Sequence, residues 1–117
     1  MTIGTIKEIL EAEVVCGEES LENEVFSACG SDMMSDVLAY VKNQAVLLTG
    51  LVNSQVVRTA EMMDMVCIVF VRGKEPDPMM ISLAESCGIV LMTTEHRMFT
   101  ACGLLYESGL RGGGMPK

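Results

Sequence analysis

Three short apolar runs, beginning at Val46, Cys67 and Ile89, are spaced 21 and 22 residues apart, and each is followed by residues that repeat at helical spacing. None alternates with polar residues, which is the pattern of strands covered on both faces in a parallel sheet. Parallel neighbours need a crossover of a dozen residues or more, and each interval supplies one helix. In the central unit, Val46-Leu47-Leu48-Thr49 breaks at Gly50 and Asn53-Ser54-Gln55 makes a polar corner. Val56, Val57, Ala60 and Met63 then form one helical face, with Arg58 and Glu61 opposite. Cys67-Ile68-Val69-Phe70-Val71 closes a βαβ unit, a crossover that is nearly always right-handed. The spacing predicts an α/β domain of three-layer type: a mainly parallel central sheet (core strands near 46–49, 67–71 and 89–93) with flanking helices.

The punctuation around these runs places the remaining elements. Thr2 can cap a first helix with Ile3, Ile6, Ile9 and Leu10 on one stripe, ending near Glu11 or Ala12. Val14-Val15-Cys16 and Val25-Phe26-Ser27-Ala28-Cys29 read as two further short strands, the second closed by Gly30. Ser31 is a candidate cap, with Asp32 suited to the first-turn dipole and Met34, Val37, Leu38 and Val41 on the buried face of a helix that stops at Lys42-Asn43. Asp77 and Pro78 open a helix that Gly88 ends. Thr93 or Thr94 caps a last helix ending at Gly109. Its expected inward face is Met98, Phe99, Cys102, Leu105 and Tyr106, with Gly103 as a close-packing point. The domain is expected over 1–110, and 111–117, rich in glycine, as a flexible tail.

Composition narrows the function classes. At 117 residues the chain has length for one domain. Sixteen acidic residues against eight basic give a net charge of −8, which repels phosphate backbones and anionic lipid, so neither nucleic acid nor a membrane surface is an expected partner. No apolar stretch approaches the roughly 18–20 residues of a membrane span, and the first residues do not pattern as a secretory signal, so a cytoplasmic location is expected. The five cysteines are odd in number and dispersed, with no Cys-x-x-Cys and a single histidine. They read as buried hydrophobes kept reduced, and neither a metal nor a cofactor is expected. Half the residues are apolar, with eleven methionines, two tyrosines and no tryptophan, which predicts a core and a self-complementary face in a homodimer.

Ligands of an open parallel sheet bind beyond the carboxyl ends of its strands. The candidates there are Thr49, Gly50, Asn53, Arg72, Gly73, Thr93 and Thr94, with Lys74, His96 and Arg97 close in sequence. Hydroxyls, an amide, cations and helix amino termini can together hold a small anion. The plainer reading makes the same residues caps, turns and solvated charges. No nucleophile elbow, phosphate loop or dinucleotide fingerprint is present, and only His96 could serve a cysteine as base, so no catalytic residues are expected.

Four stretches carry a family resemblance: Ile6 to Leu10 with Val14 to Gly17, Ser31 to Leu38, Leu47 to Leu51, and Ile89 to Thr94. Through them the chain resembles the DRTGG-domain family over about residues 3 to 110. The five-residue string that names the family is absent, its nearest trace being Arg58-Thr59-Ala60. The resemblance implies an α/β module similar to the N-terminal domain of HPr kinase/phosphorylase, of a kind that also accompanies CBS-type nucleotide-sensing domains and phosphate acetyltransferase. It carries no catalytic residue set. The expectation is a non-catalytic regulatory module that binds a small anionic or nucleotide-like ligand or a partner enzyme or kinase. The alternatives are a structural homodimerisation or adaptor protein and an enzyme acting on a phosphorylated substrate.

Overall fold

The computed structural model describes residues 1–39 and 44–112. Among the described residues five α-helices and five strands follow one another, with one 3-10 turn at Glu18–Ser20: α1 (Ile3–Leu10), β1 (Glu13–Cys16), β2 (Ser27–Gly30), α2 (Met34–Leu38), β3 (Ala45–Thr49), α3 (Ser54–Met62), β4 (Cys67–Phe70), α4 (Pro78–Cys87), β5 (Val90–Thr93) and α5 (Met98–Glu107). The sheet runs β1-β5-β4-β3-β2. The strands β2 to β5 are parallel, and β1 joins β5 antiparallel.

This order dictates the layers. Each connection from β2 to β5 moves one strand in the same direction, and crossovers of one hand then lie on one face. Accordingly α2, α3 and α4 bury Met34, Val37, Val56, Val57, Met80 and Ala84 against Ala45, Leu47, Ile68, Phe70 and Leu91. The other face takes α1 and α5, whose Ile3, Ile6, Leu10, Ala101 and Leu105 meet Val46, Leu48, Val69, Val90 and Met92. Consecutive residues of each strand therefore enter opposite layers, which is why the runs are apolar without alternation.

Local signals placed most boundaries. Thr2 accepts a hydrogen bond from the Thr5 N–H at 3.1 Å. Asp77 accepts from Met80 N–H at 2.9 Å with Pro78 first in the helix, and Gly88 ends it at φ 74°. Met34, Met65, Met80 and Met92 are buried, whereas Met33, Met62 and Met79 are exposed.

Several expectations need correction. The second strand begins at Ser27, not Val25, because Val25 N–H donates to Met1 O at 2.6 Å and its side chain joins the α1 layer. Ser31 does not cap α2: its hydroxyl accepts from Met33 N–H at 3.0 Å in a turn before the helix, which starts at Met34. The expected stop at Lys42-Asn43, and Val41, lie outside the described residues. Neither Thr93 nor Thr94 caps α5, since Thr93 is still in β5 and α5 follows Arg97, ending at Glu107. Ala101 and Leu105 are its buried residues and Met98 and Cys102 pack partly buried against the same core, while Phe99 is 90% and Tyr106 61% exposed. Gly103 faces open space, with nothing within 4 Å of a Cβ placed on it. The helix is apolar almost all round, so its composition does not choose a face; packing against α1 does.

Residues just after α5 cover an edge of the sheet. Leu110 is buried, Arg111 O accepts from Ala28 N–H on the outer side of β2 at 2.9 Å, and the Arg111 guanidinium lies 3.8 Å from the Tyr106 ring centroid. The expected tail beyond Gly112 lies outside the described residues.

Candidate functional site at the carboxyl ends of the strands

Helices α4 and α5 leave the adjacent strands β4 and β5 for opposite faces, and such a divergence opens a crevice in α/β sheets. Here the two loops are stitched together. Arg72 N–H donates to His96 O and Gly73 N–H to Thr94 O, both at 2.8 Å. The Thr93 hydroxyl donates to Lys74 O at 2.7 Å. The Thr94 hydroxyl turns inward to Leu10 O at 2.7 Å and accepts from His96 N–H at 3.3 Å. The polar groups of Gly73, Thr93 and Thr94 thus fix the loop that carries Arg72.

That loop has an uncommon backbone. Lys74 N–H donates to Val71 O at 3.2 Å, with Arg72 at φ 60° and Gly73 at φ 70° between them. Two consecutive positive φ values are the signature of a type I′ turn. Glycine adopts the second position freely, but a left-handed arginine costs roughly 1–2 kcal/mol. Exchanging Arg72 for Asn, which tolerates that conformation, is expected to raise the unfolding free energy by about 1 kcal/mol. Urea denaturation reads this directly, and an unchanged or lower midpoint would show that the turn stores no strain.

The strained turn aims the Arg72 side chain across to β3. Its guanidinium lies over Gly50, where a Cβ would stand 2.5 Å from Nη2. Only a glycine leaves room for it. At the same spot Asp32 Oδ1 accepts from Gly50 N–H at 2.6 Å and from the Thr49 hydroxyl at 3.1 Å. Asn53, the cap of α3, is exposed at the same edge and accepts from Val56 N–H at 3.3 Å. The fold therefore brings Thr49, Gly50 and Arg72 into one cluster. Thr93, Thr94 and Gly73 stand behind it as supports, and Asn53 serves its own helix. Sequence reading missed Asp32 as a member; its signal was a carboxylate two residues past a strand end.

The described residues form ion pairs at Met1–Glu24, Lys7–Glu8 and, when His96 is protonated, His96–Glu11 at 3.5 Å. Arg72 has none, and its side chain makes no hydrogen bond among the described residues. It is an exposed cation held on a glycine floor.

The amino-acid sequence matches the DRTGG domain over residues 5–108. The chain belongs to the DRTGG domain family. A search of curated proteins finds no match. Among solved structures, this DRTGG domain is similar to the CBS and DRTGG domains of the regulatory region of Clostridium perfringens pyrophosphatase, complexed with the activator diadenosine tetraphosphate. The TM-score is 0.74 at 22% identity, covering 99% of this chain and 50% of that one. The chain therefore spans half the length of that neighbour, and the likeness is one of fold.

Elsewhere the DRTGG domain offers less to an anion. The cleft at the opposite end of the sheet, about 450 Å³, is lined by Glu61, Asp64, Cys87 and Gly88, where helices α3 and α4 end in carbonyl oxygens and carboxylates. Burial pushes the Cys16, Cys67 and Cys102 thiols up, and desolvation followed by the neighbouring Glu61 raises Cys87. These four remain protonated thiols at neutral pH. Among the described residues no group of three or more His, Cys, Asp or Glu side chains could hold a metal, and no helix is long and apolar enough to cross a membrane.

Proposed function

We propose that this DRTGG domain is a non-catalytic regulatory module of the cytoplasm that takes a small anionic or nucleotide-like ligand at the carboxyl ends of its strands, with Arg72 as the anion contact. One observation carries the reading: an arginine in a strained left-handed turn presents a guanidinium with no ion pair among the described residues, laid on a bare glycine. Local strain that the surroundings hold in place is a mark of functional positions. Gly73, Thr93 and Thr94 act as positioning residues that lock the turn, and Asn53 borders the edge as a cap. The pyrophosphatase region with which the domain shares its fold is complexed with a nucleotide activator. That region is twice as long as this chain, so the likeness supports a ligand class rather than that dinucleotide.

ATP is the probe of choice, because it combines phosphates with a nucleoside. At 100 times its dissociation constant it stabilises the fold by about 2.7 kcal/mol. Arg72→Ala removes that increment while the unliganded protein unfolds within about 0.5 kcal/mol of the parent, since alanine shares the left-handed penalty and no side-chain bond is lost. Equal stabilisation of parent and variant would place the anion elsewhere.

A second reading rests on α5, where Phe99 and Tyr106 are exposed. An apolar face of this kind suits a protein partner, either a second copy of the chain or an enzyme or kinase that the module regulates. Light scattering at micromolar concentration tests the homodimer, which is excluded by a mass near the 12.7 kDa of one chain.

A further inference from the structure

We infer that Asp32 is a built-in competitor for the anion site, a carboxylate that occupies the donors of Gly50 and Thr49 until a ligand displaces it. The inference rests on the proposed role of Arg72 and deepens it by naming what regulates the site. A backbone N–H and a hydroxyl converging on one point, with a guanidinium beside them, form the donor set expected around a phosphate oxygen. In this protein one oxygen of Asp32 sits there, at 2.6 Å from Gly50 N and 3.1 Å from Thr49 Oγ1. Arg72 borders the same glycine without pairing with Asp32. An external anion on Arg72 would meet the Asp32 charge across the width of one residue, and like charges that close repel. The two anions therefore compete for the cluster.

Displacement needs only a side-chain rotation. Asp32 is exposed, and its backbone is held independently: Ser31 N–H donates to Leu48 O at 3.0 Å, and the Ser31 hydroxyl accepts from Met33 N–H at 3.0 Å. The turn before α2 can stay in place while the carboxylate swings into solvent. An arriving ligand must outbid Asp32, so the site answers to multiply charged anions and ignores weak monoanions. Specificity would thus come from an internal rival as much as from contacts.

The test is isothermal titration of ATP and of inorganic pyrophosphate into the parent, Asp32→Asn, Asp32→Ala, Arg72→Ala and the double variant Asp32→Asn/Arg72→Ala. Asparagine keeps an acceptor for Gly50 and loses the charge, whereas alanine loses both, so a folding defect in one variant leaves the other to report. Both Asp32 variants should bind at least tenfold tighter than the parent, and both proteins lacking Arg72 should not bind. Binding by the parent that requires Arg72, with neither Asp32 variant tighter, overturns the competitor and leaves the ligand site standing. Tighter binding that persists without Arg72 overturns the competitor, since the gain then arises away from this cluster. No binding by the parent or by either Asp32 variant overturns both readings together.

Discussion

Phe70→Ala is expected to lower the unfolding free energy by about 3–5 kcal/mol, the range for deleting a buried aromatic side chain. Phe70 is fully buried at the last position of β4, in the layer packed by α2, α3 and α4. Its neighbours across the sheet are Thr49 and Thr93, so the cavity left behind would open between hydrogen-bonded strands. At about 4 °C per kcal/mol for a domain of this size, the thermal midpoint should fall by roughly 12–20 °C. The next residue, Val71, begins the turn that aims Arg72, so the variant should also weaken whatever ligand the edge holds. Urea melts followed by circular dichroism give the first number. A loss below about 1 kcal/mol would mean that the helix layer does not rest on this side chain.

Gly50→Ala should separate stability from binding most cleanly. Gly50 is not among the positive-φ glycines, so its backbone suits alanine, and the exchange is expected to change the unfolding free energy by less than about 1 kcal/mol in either direction. The new Cβ would stand 2.5 Å from Arg72 Nη2, the far end of a flexible side chain that can move away. The guanidinium then leaves its floor. Stabilisation by ATP, about 2.7 kcal/mol at 100 times the dissociation constant, should be lost although every polar group of the cluster survives. Calorimetry with and without ATP measures both quantities on one sample. If the variant is stabilised as much as the parent, the resting place of Arg72 is irrelevant to binding.

The local grammar of the chain was legible because its causes are local. Thr2, Asn53 and Asp77 each accept from an N–H three residues on, and Gly88 ends its helix through its own φ, so a few residues of sequence contain each signal. The apolar runs at β3, β4 and β5 announced strands buried on both faces, and their spacing announced the helices between them. Thr94 and Asp32 show where that reading ends. Both looked like residues for the start of a helix, and both instead spend their oxygens across the fold, Thr94 on a carbonyl 84 positions away and Asp32 on donors 17 and 18 away.

The face of α5 belongs to the same class, as does the place of β1. An apolar helix surface fits a core in several rotations, and a short edge strand can pair on either side of a sheet. Sequence by itself determined that this chain would be a parallel α/β domain with polar groups gathered at its strand ends. Only the tertiary structure decided which of those groups face one another, because hydrogen-bond partners are chosen by the loops that neighbouring strands bring side by side, and that adjacency is a property of the sheet order.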